Sequence, residues 1–516
     1  MNMEITNWCI AFGTIISVVV VFAWKILNWV WFKPKRLEKL FRQQGFSGNF
    51  YTLLHGDIKK ITRGANEANS KPIGIYDDIL PRVLHYHLHI INKYGKNSFE
   101  WFGPTPCLNI TEPKLISEVF LKHEIFKKPR RNPISKYLLQ GMVMYEGEKW
   151  SKVRKIANPA FHFERLKDLL PEMHMSCKST VNKWKDLMSN KESVEIDVWA
   201  DIQAMTADVL SRTAFGSSFE DGRKIFELIT KQIDNMIDVL KMPYIPGWRF
   251  LPTPTNRKLI GNYKQIRKLI RGIINKREEA MKMGKARNDD LLGLLMESNR
   301  NEIQESKAGM SIDEIIEECK EFYIAGQEAS ALLLTWTMIF LSIYPNWQER
   351  AREEVLKVFG NKEPKFQGMN QLKVVGSIIY EVLRFFPPPS MLTRVTSKET
   401  KLGETVIPAG VLVQLPISVV HQDPEYWGDD AKEFNPDRFS EGVSKACKKQ
   451  LAYFAFGGGP RICIGQNFAL MEAKLSLALI LQNFSFELSP TYVHAPMKRL
   501  SLIQPQYGAP LVFHKI

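Results

Sequence analysis

Residues Ile5 to Trp24 carry no charge, and no other stretch limits the chain's possible folds so strongly. As a helix, a run of that length spans about 30 Å, the thickness of a bilayer's hydrocarbon core. Apolar character resumes after Lys25 and continues to Phe32, where Lys33, Pro34, Lys35 and Arg36 follow. Only Glu4 is charged ahead of the run. That asymmetry puts the rest of the chain on the cytosolic side. Trp24, Trp29 and Trp31 fall where one membrane interface would lie. A cleaved signal sequence needs a basic start, a short apolar core and a small-residue cleavage site. Here the start is acidic, the run is long and large residues flank its end. The expectation is an uncleaved single-pass anchor with its basic flank over residues 1–36, followed by a cytosolic body over 37–516.

The body is a folded protein by composition. Of 516 residues, 45% are apolar and 24% charged, which excludes a disordered chain and a polytopic membrane protein. The net charge is 70 − 55 = +15. Positions 1–36 hold four basic residues and one acidic residue, so the body keeps +12. A basic surface suits an anionic membrane or an acidic partner. No nucleic-acid motif is present, so no nucleic-acid partner is expected. Six cysteines without a CxxC pair exclude a disulfide scaffold.

Most of the body reads as helix. A periodic stretch from Ile312 to Tyr344 opens on a Ser311/Glu314 capping box and stops at Pro345. It is apolar nearly all round after Ile324 and should cross the core. Further helices are expected over 371–385, before the triple proline 387–389, and over 466–483. Lys401 to Pro416 reads as a hairpin around Pro408-Ala409-Gly410. Arg499 to Val512 reads as another, broken at Pro505 and Gly508. The fold class is mainly α with a minor β component, in one large domain.

The chemistry centres on Phe456-Gly-Gly-Gly459-Pro-Arg461-Ile-Cys463-Ile-Gly465. A glycine-rich loop delivers a cysteine to the start of a helix, whose free N–H groups favour an anion and lower a thiol's pKa. The glycines let a flat group approach the backbone. Arg461 is placed to pair with an anionic group. A thiolate facing a planar cofactor points to haem. The stretch resembles the F-x-x-G-x-R-x-C-x-G signature of cytochrome P-450 haem-thiolate monooxygenases at every fixed position.

That resemblance implies the cytochrome P-450 fold, with Cys463 as the haem iron's ligand and haem b as cofactor. Glu381-Val-Leu-Arg384 resembles the family's E-x-x-R pair, and Phe434-Asn-Pro-Asp-Arg438-Phe439 resembles its F-x-P-x-R-F element. Glu381, Arg384 and Arg438 are then expected to interlock behind the haem as scaffold. Trp150-Ser-Lys-Val-Arg154 resembles W-x-x-x-R. Trp150, Arg154, Arg461 and Arg394 would meet the haem propionates, while Phe456 and Gly465 complete the cofactor-binding loop.

Ala325-Gly326-Gln327-Glu328-Ala329-Ser330 resembles the oxygen-activating A/G-G-x-D/E-T-T/S stretch, with one departure. The acid is present as Glu328, but Ala329 stands where the family has a threonine. Alanine's side chain can neither donate nor accept a hydrogen bond. Gly326 would cost about 1 kcal/mol in an ordinary helix and is read as space for oxygen or substrate. A water, Ser330 or a substrate hydroxyl supplies the missing group, or the chemistry leans less on it, or the protein couples poorly.

Five further strings resemble the plant clan that includes secologanin synthase: Arg42-Gln-Gln-Gly-Phe46, Asn158-Pro-Ala-Phe-His162, Trp347-Gln-Glu-Arg-Ala-Arg-Glu-Glu-Val355, Tyr492-Val-His-Ala-Pro496 and Gln504-Pro-Gln-Tyr-Gly508. Members oxidise iridoids, triterpenoids, gibberellins and related isoprenoids. A substrate pocket is expected from the loop at 130–143, from Phe322, Ala325 and Ala329, from Ser390, Met391 and Leu392, and from the turn at 497–502. His85, His87 and His89 are read as a solvated face. With no Walker loop and no GxGxxG after a strand, electrons must come from outside. The implied donor is an NADPH–cytochrome P-450 reductase, steered by a basic face near Arg461, Lys448 and Lys449. The implied location is the endoplasmic reticulum membrane. The function expected is insertion of one oxygen atom from O2 into a lipophilic plant isoprenoid. Ala329 motivates two rivals: a haem-binding protein without monooxygenase activity, and a haem-dependent isomerase or lyase.

Overall fold

The computed structural model describes residues 2–129, 133–217, 219–242, 245–284, 289–306, 309–449 and 451–516. Arg130, Arg131 and Asn132, which open the expected pocket loop, lie outside them. The chain is 60% helical with 11% strand, which agrees with a mainly α fold.

Helix α1 (Asn2–Leu27) holds the uncharged run. Its described side chains are exposed: Trp8 is 77% and Phe22 65% exposed. An unburied apolar helix of this length suits a bilayer. A π-helical turn at Asn28–Phe32 leads without a break into α2 (Lys33–Gln43). There Leu37 and Phe41 enter the core of the body, with Phe41 ringed by Phe46 and Phe99.

The helices that place the site are α3 (His85–Tyr94), α4 (Pro113–Leu121), α5 (Gly147–Ala157), α6 (Phe163–Leu187), α7 (Val198–Phe215), α8 (Phe219–Leu240), α9 (Ile312–Ile343), α10 (Lys373–Phe385) and α11 (Gln466–Leu481). The long α9 opens on the expected capping box: the Ser311 hydroxyl accepts from the Glu314 amide, and the Glu314 carboxylate accepts from the Ser311 amide. Pro345 begins the next helix. The span from Ser330 to Leu341 is buried on every face. Ala325 is exposed, and Gly326, Gln327 and Ala329 are partly so, although they sit mid-helix. A gap in the core therefore opens beside this one turn.

The largest sheet has the order β1 (Ser47–Gly48), β2 (Ser98–Phe102), β3 (Thr105–Asn109), β9 (Leu412–Leu415), β6 (Leu392–Thr396), β4 (Phe126–Lys127). A second runs β10 (Phe484–Leu488), β13 (Pro510–Lys515), β5 (Ser193–Asp197). Two hairpins complete the set: β7 (Thr400–Leu402) with β8 (Thr405–Ile407), and β11 (Pro496–Arg499) with β12 (Leu502–Pro505).

Both expected hairpins need correction. The first turns at Gly403, where φ is +55°, and not at Pro408-Ala409-Gly410. The latter tripeptide carries the chain between sheets, since β9 pairs with β6 and β3. The second hairpin lies earlier, at 496–505, and its strands pair Arg499 with Leu502. The residues after Gly508 join β10 and β5 instead. Proline and glycine marked the breaks correctly, but pairing partners distant in sequence decided the sheets.

The solvated histidine face holds for His85 and His89 and fails for His87. His87 is buried, with Nδ1 2.8 Å from Glu100 Oε1, and Gln414 Nε2 donates to the same carboxylate at 2.8 Å. Helix α3 lies against β2, so its inward position between the two exposed histidines meets a buried acid.

Candidate active site

Cys463 ends the glycine-rich loop two residues before Gly465, which caps α11. The loop closes on itself: the Cys463 amide donates to the Phe456 carbonyl at 3.0 Å. Gly457 and Gly459 adopt φ of +76° and +63°, the left-handed region that favours glycine. Two of the glycines are packing devices and leave no room for a cofactor. A Cβ on Gly458 would lie 2.7 Å from the Phe120 ring, and one on Gly459 would lie 2.8 Å from the Phe120 carbonyl of α4. Around Gly457 and Gly465 nothing intrudes within 4 Å.

The Cys463 side chain is accessible, yet the surrounding protein pushes its thiol up from the usual value. Those two facts together describe a recess. Desolvation outweighs the hydrogen bond from the Gly465 amide and the positive charge of Arg154 and Lys128, all of which favour the anion. The expected lowering by the helix N-terminus is therefore overturned for the bare thiol. The pull toward thiolate is present but needs a further positive charge, such as a bound iron, to prevail.

Basic groups crowd this recess. Arg394 on β6 is only 6% exposed, and burial followed by repulsion from Arg461 lowers its guanidinium to about 10. Lys128 is lowered to about 7 by burial and then by repulsion from Arg394 and Arg461. Arg461 stacks over the Trp150 ring at 4.6 Å and donates to Glu146 at 2.5 Å and to the Tyr145 carbonyl at 2.7 Å. Its Nε is buried without a partner. The Arg394 side chain donates to its neighbour's carbonyl, Thr393 O, at 2.9 Å. Three mutually repelling cations with donors to spare call for anions. A flat dicarboxylate such as haem b, ligated by the recessed sulfur, fits this donor set.

Arg154 does something other than expected: its Nη1 donates to the Ile462 carbonyl at 3.0 Å and holds the residue before the cysteine. Lys128 and Glu146 escaped the sequence reading. Glu146 gathers Arg461 and the Lys128 amide from three separate segments. The available signal was its position four residues before Trp150.

Behind the loop, Glu381 and Arg384 on α10 are both fully buried and joined by two hydrogen bonds of 2.8 Å. Arg384 also donates to the carbonyls of His421, Ala431 and Glu433. Arg438 joins the pair as an ion-paired third member. It stands 3.7 Å from Glu381 and pairs at 2.8 Å with Asp430. His421 was missed. Its Nε2 accepts from the Phe454 amide at 2.8 Å and its Nδ1–H donates to the Arg384 carbonyl at 3.2 Å, so it ties the pair to the strand of chain entering the loop. Burial, with the charge of Arg384, lowers it to about 3 and keeps it neutral.

On the other side, Gly326 does not make space for oxygen. A Cβ there would meet Leu210 of α7 at 3.1 Å, so the glycine lets two helices pack closely. Ala325 and Ala329 border the gap in the core. Ser330 is buried and lies beside the Glu472 carboxyl of α11, whose two oxygens are buried without a hydrogen bond among the described residues. Phe322 packs edge-on against Phe161, 5.7 Å between centroids. Ser390 is fully buried, and both its amide and hydroxyl donate to the Ser501 carbonyl. Met391 and Leu392 remain partly accessible.

Comparison with known proteins agrees with this geometry. The sequence model of the family described as Cytochrome P450 matches residues 82–513. The chain is 52% identical to Cytochrome P450 72A397 of Kalopanax septemlobus over 96% of its own length and 95% of that protein's. It is 51% identical to Cytochrome P450 CYP72A219 of Panax ginseng and 50% identical to 7-deoxyloganic acid hydroxylase of Catharanthus roseus, each over the full length of both chains.

Proposed function

The chain belongs to the cytochrome P450 family, and on that premise we propose that it inserts one oxygen atom from O2 into a lipophilic plant isoprenoid at the endoplasmic reticulum membrane. Membership makes it a monooxygenase that binds haem b and takes electrons from NADPH through a reductase. The substrate class, an iridoid, triterpenoid or diterpenoid of the gibberellin type, rests on the clan strings and on a relative named as 7-deoxyloganic acid hydroxylase. The cytosolic orientation rests on the basic flank of α1.

The observation that carries the reading is the recessed Cys463 beside the basic cluster of Arg394, Arg461 and Lys128. Bound there, haem supplies the iron at which oxygen is activated. Cys463 Sγ would ligate it, with the Gly465 amide donating to the sulfur. Arg394, Arg461 and Lys128 would hold its carboxylates, and Trp150 holds the Arg461 fork flat. Arg154 fixes the loop at Ile462. Burial raises the Glu328 carboxyl above its ordinary value on the same turn of α9 as Ala329. Ala329 offers no hydroxyl, and Ser330 lies beside the Glu472 carboxyl, so a water or the substrate itself supplies that hydrogen bond. Of the three suppliers expected, Ser330 has the least support.

The test is a carbon monoxide difference spectrum of the reduced full chain in membranes with a plant reductase. The expected Soret band is that of thiolate-ligated haem, absent in Cys463→Ser, together with NADPH-dependent product from a panel of terpenoid acids and alcohols. A band of the histidine-ligated type in the unsubstituted chain would remove the assignment. A thiolate band with no NADPH consumption would favour the isomerase or carrier reading.

A further inference from the structure

The acid of the oxygen-side turn is not isolated. Arg499 Nη1 lies 3.6 Å from Glu328 Oε1, and its Nη2 is ion-paired with Asp234 Oδ1 on α8. Arg499 is 18% exposed and Glu328 11%, whereas Asp234 is 61% exposed. One guanidinium thus bridges a buried carboxyl on α9 and a carboxylate at the surface of α8. It reaches them from neither helix but from the tip of the β11–β12 hairpin.

That tip is held firmly. Arg499 pairs with Leu502 across the hairpin. Leu500 makes the turn at φ +56°. One residue on, the Ser501 carbonyl accepts from both the amide and the hydroxyl of Ser390, at 2.8 and 3.0 Å. The guanidinium is therefore placed by the hairpin and the loop after the triple proline, and is not free to follow Asp234. If α8 moves, Asp234 moves relative to Arg499, and the field at Glu328 changes.

We propose that Arg499 is a positioning residue for Glu328 and that, with Asp234, it makes the acid's proton occupancy depend on where α8 sits. The proposal rests on the monooxygenase reading, in which Glu328 serves the oxygen side. Its importance follows from Ala329: where the neighbouring hydroxyl is missing, the remaining titratable group on that turn carries more of the proton supply. Among the described residues, the charged groups that face Glu328 are Arg499 from β11 and Asp234 from α8. Burial raises the Glu328 carboxyl, Arg499 lowers it and Asp234 raises it. Removing each neighbour must then move the acid in opposite directions.

The experiment is an infrared titration of the full chain in nanodiscs. The Glu328 carboxyl band is identified by its loss in Glu328→Gln. In Arg499→Met its midpoint should rise by about one pH unit, and in Asp234→Asn it should fall by roughly half that. Arg499→Lys, which keeps charge but not the fork, should give a smaller rise and carries the test should the methionine variant not fold. In the reductase-coupled system, Arg499→Met should also raise the share of NADPH and O2 released as hydrogen peroxide. Midpoints that stay put, or move the same way in both variants, would overturn the proposal. Absence of the thiolate band in the unsubstituted chain would overturn the haem reading and the catalytic half of the proposal with it, while the infrared shifts would still report the triad.

Discussion

Glu381 has no water to fall back on. It is fully buried, and its carboxylate takes two bonds from Arg384 and one from the Asn435 amide at 2.9 Å. Breaking one side of a buried ion pair strands the other charge, at a cost of about 3–5 kcal/mol. Glu381→Ala is therefore expected to lower the urea midpoint of the full chain by that equivalent, with haem content lost in step, whereas Arg350→Ala should change little. The Arg350–Asp437 pair is 44% and 58% exposed, and surface pairs contribute little. The E-x-x-R spacing made Glu381 and Arg384 readable, because i,i+3 puts two side chains on one helix face. Arg438's second partner, Asp430, and the bridging His421 were not readable, because their roles depend on contacts across loops that follow no period. Gly326 misled for a related reason. A glycine inside a helix signals close approach, but only the packed neighbour, Leu210, says what approaches.

A pair of acids one turn apart on α9 does for an element what Glu381 does for a residue. Glu321 accepts from the Gly141 and Val143 amides at 2.7 and 2.8 Å, and Glu318 accepts from the Met142 amide at 2.8 Å. The two carboxylates pin the loop that leads through Glu146 into α5. A Cβ on Gly141 would sit 2.8 Å from both. Burial, then the neighbouring Glu321, pushes Glu318 up to about 9, and burial raises Glu321 too. An acid whose folded pKa exceeds its ordinary 4.5 binds more protons when folded. Its contribution is complete below that ordinary value and is lost as pH rises toward about 9. Thermal midpoints measured from pH 6 to 9 should therefore fall for the full chain and fall less for Glu318→Gln, whose amide oxygen still accepts from Met142. A slope unchanged by the substitution would place the pH dependence elsewhere. The helix was legible from its capping box and proline stop, but the role of its internal acids was not, since only the loop folded against them supplies the amides.

At the scale of the whole molecule, α1 is apolar and exposed while the body buries its apolar side chains, which fits a membrane anchor. Alkaline carbonate should leave the full chain in the vesicle pellet, while a chain lacking residues 2–27 should move substantially to the supernatant. Retention of the shortened chain would mean that the body itself holds the bilayer. The body's +12 charge gives a second attraction to anionic surfaces, but Arg461, expected to form part of that basic face, is closed inside by Glu146 and Trp150. Any steering patch must be built from cations such as Lys448 and Lys449 instead. The sequence by itself determined the apolar N-terminal helix, the helical class, the cysteine loop and the family, because each depends on composition or on spacings of a few residues. Only the tertiary structure decided that Lys128 and Glu146 belong to the recess, that Ser330 lies beside Glu472, that His87 is buried and that Arg499 reaches Glu328. Those facts depend on contacts between segments tens to hundreds of residues apart. Burial then changes the electrostatics of each group, and no local pattern records which neighbour it will meet.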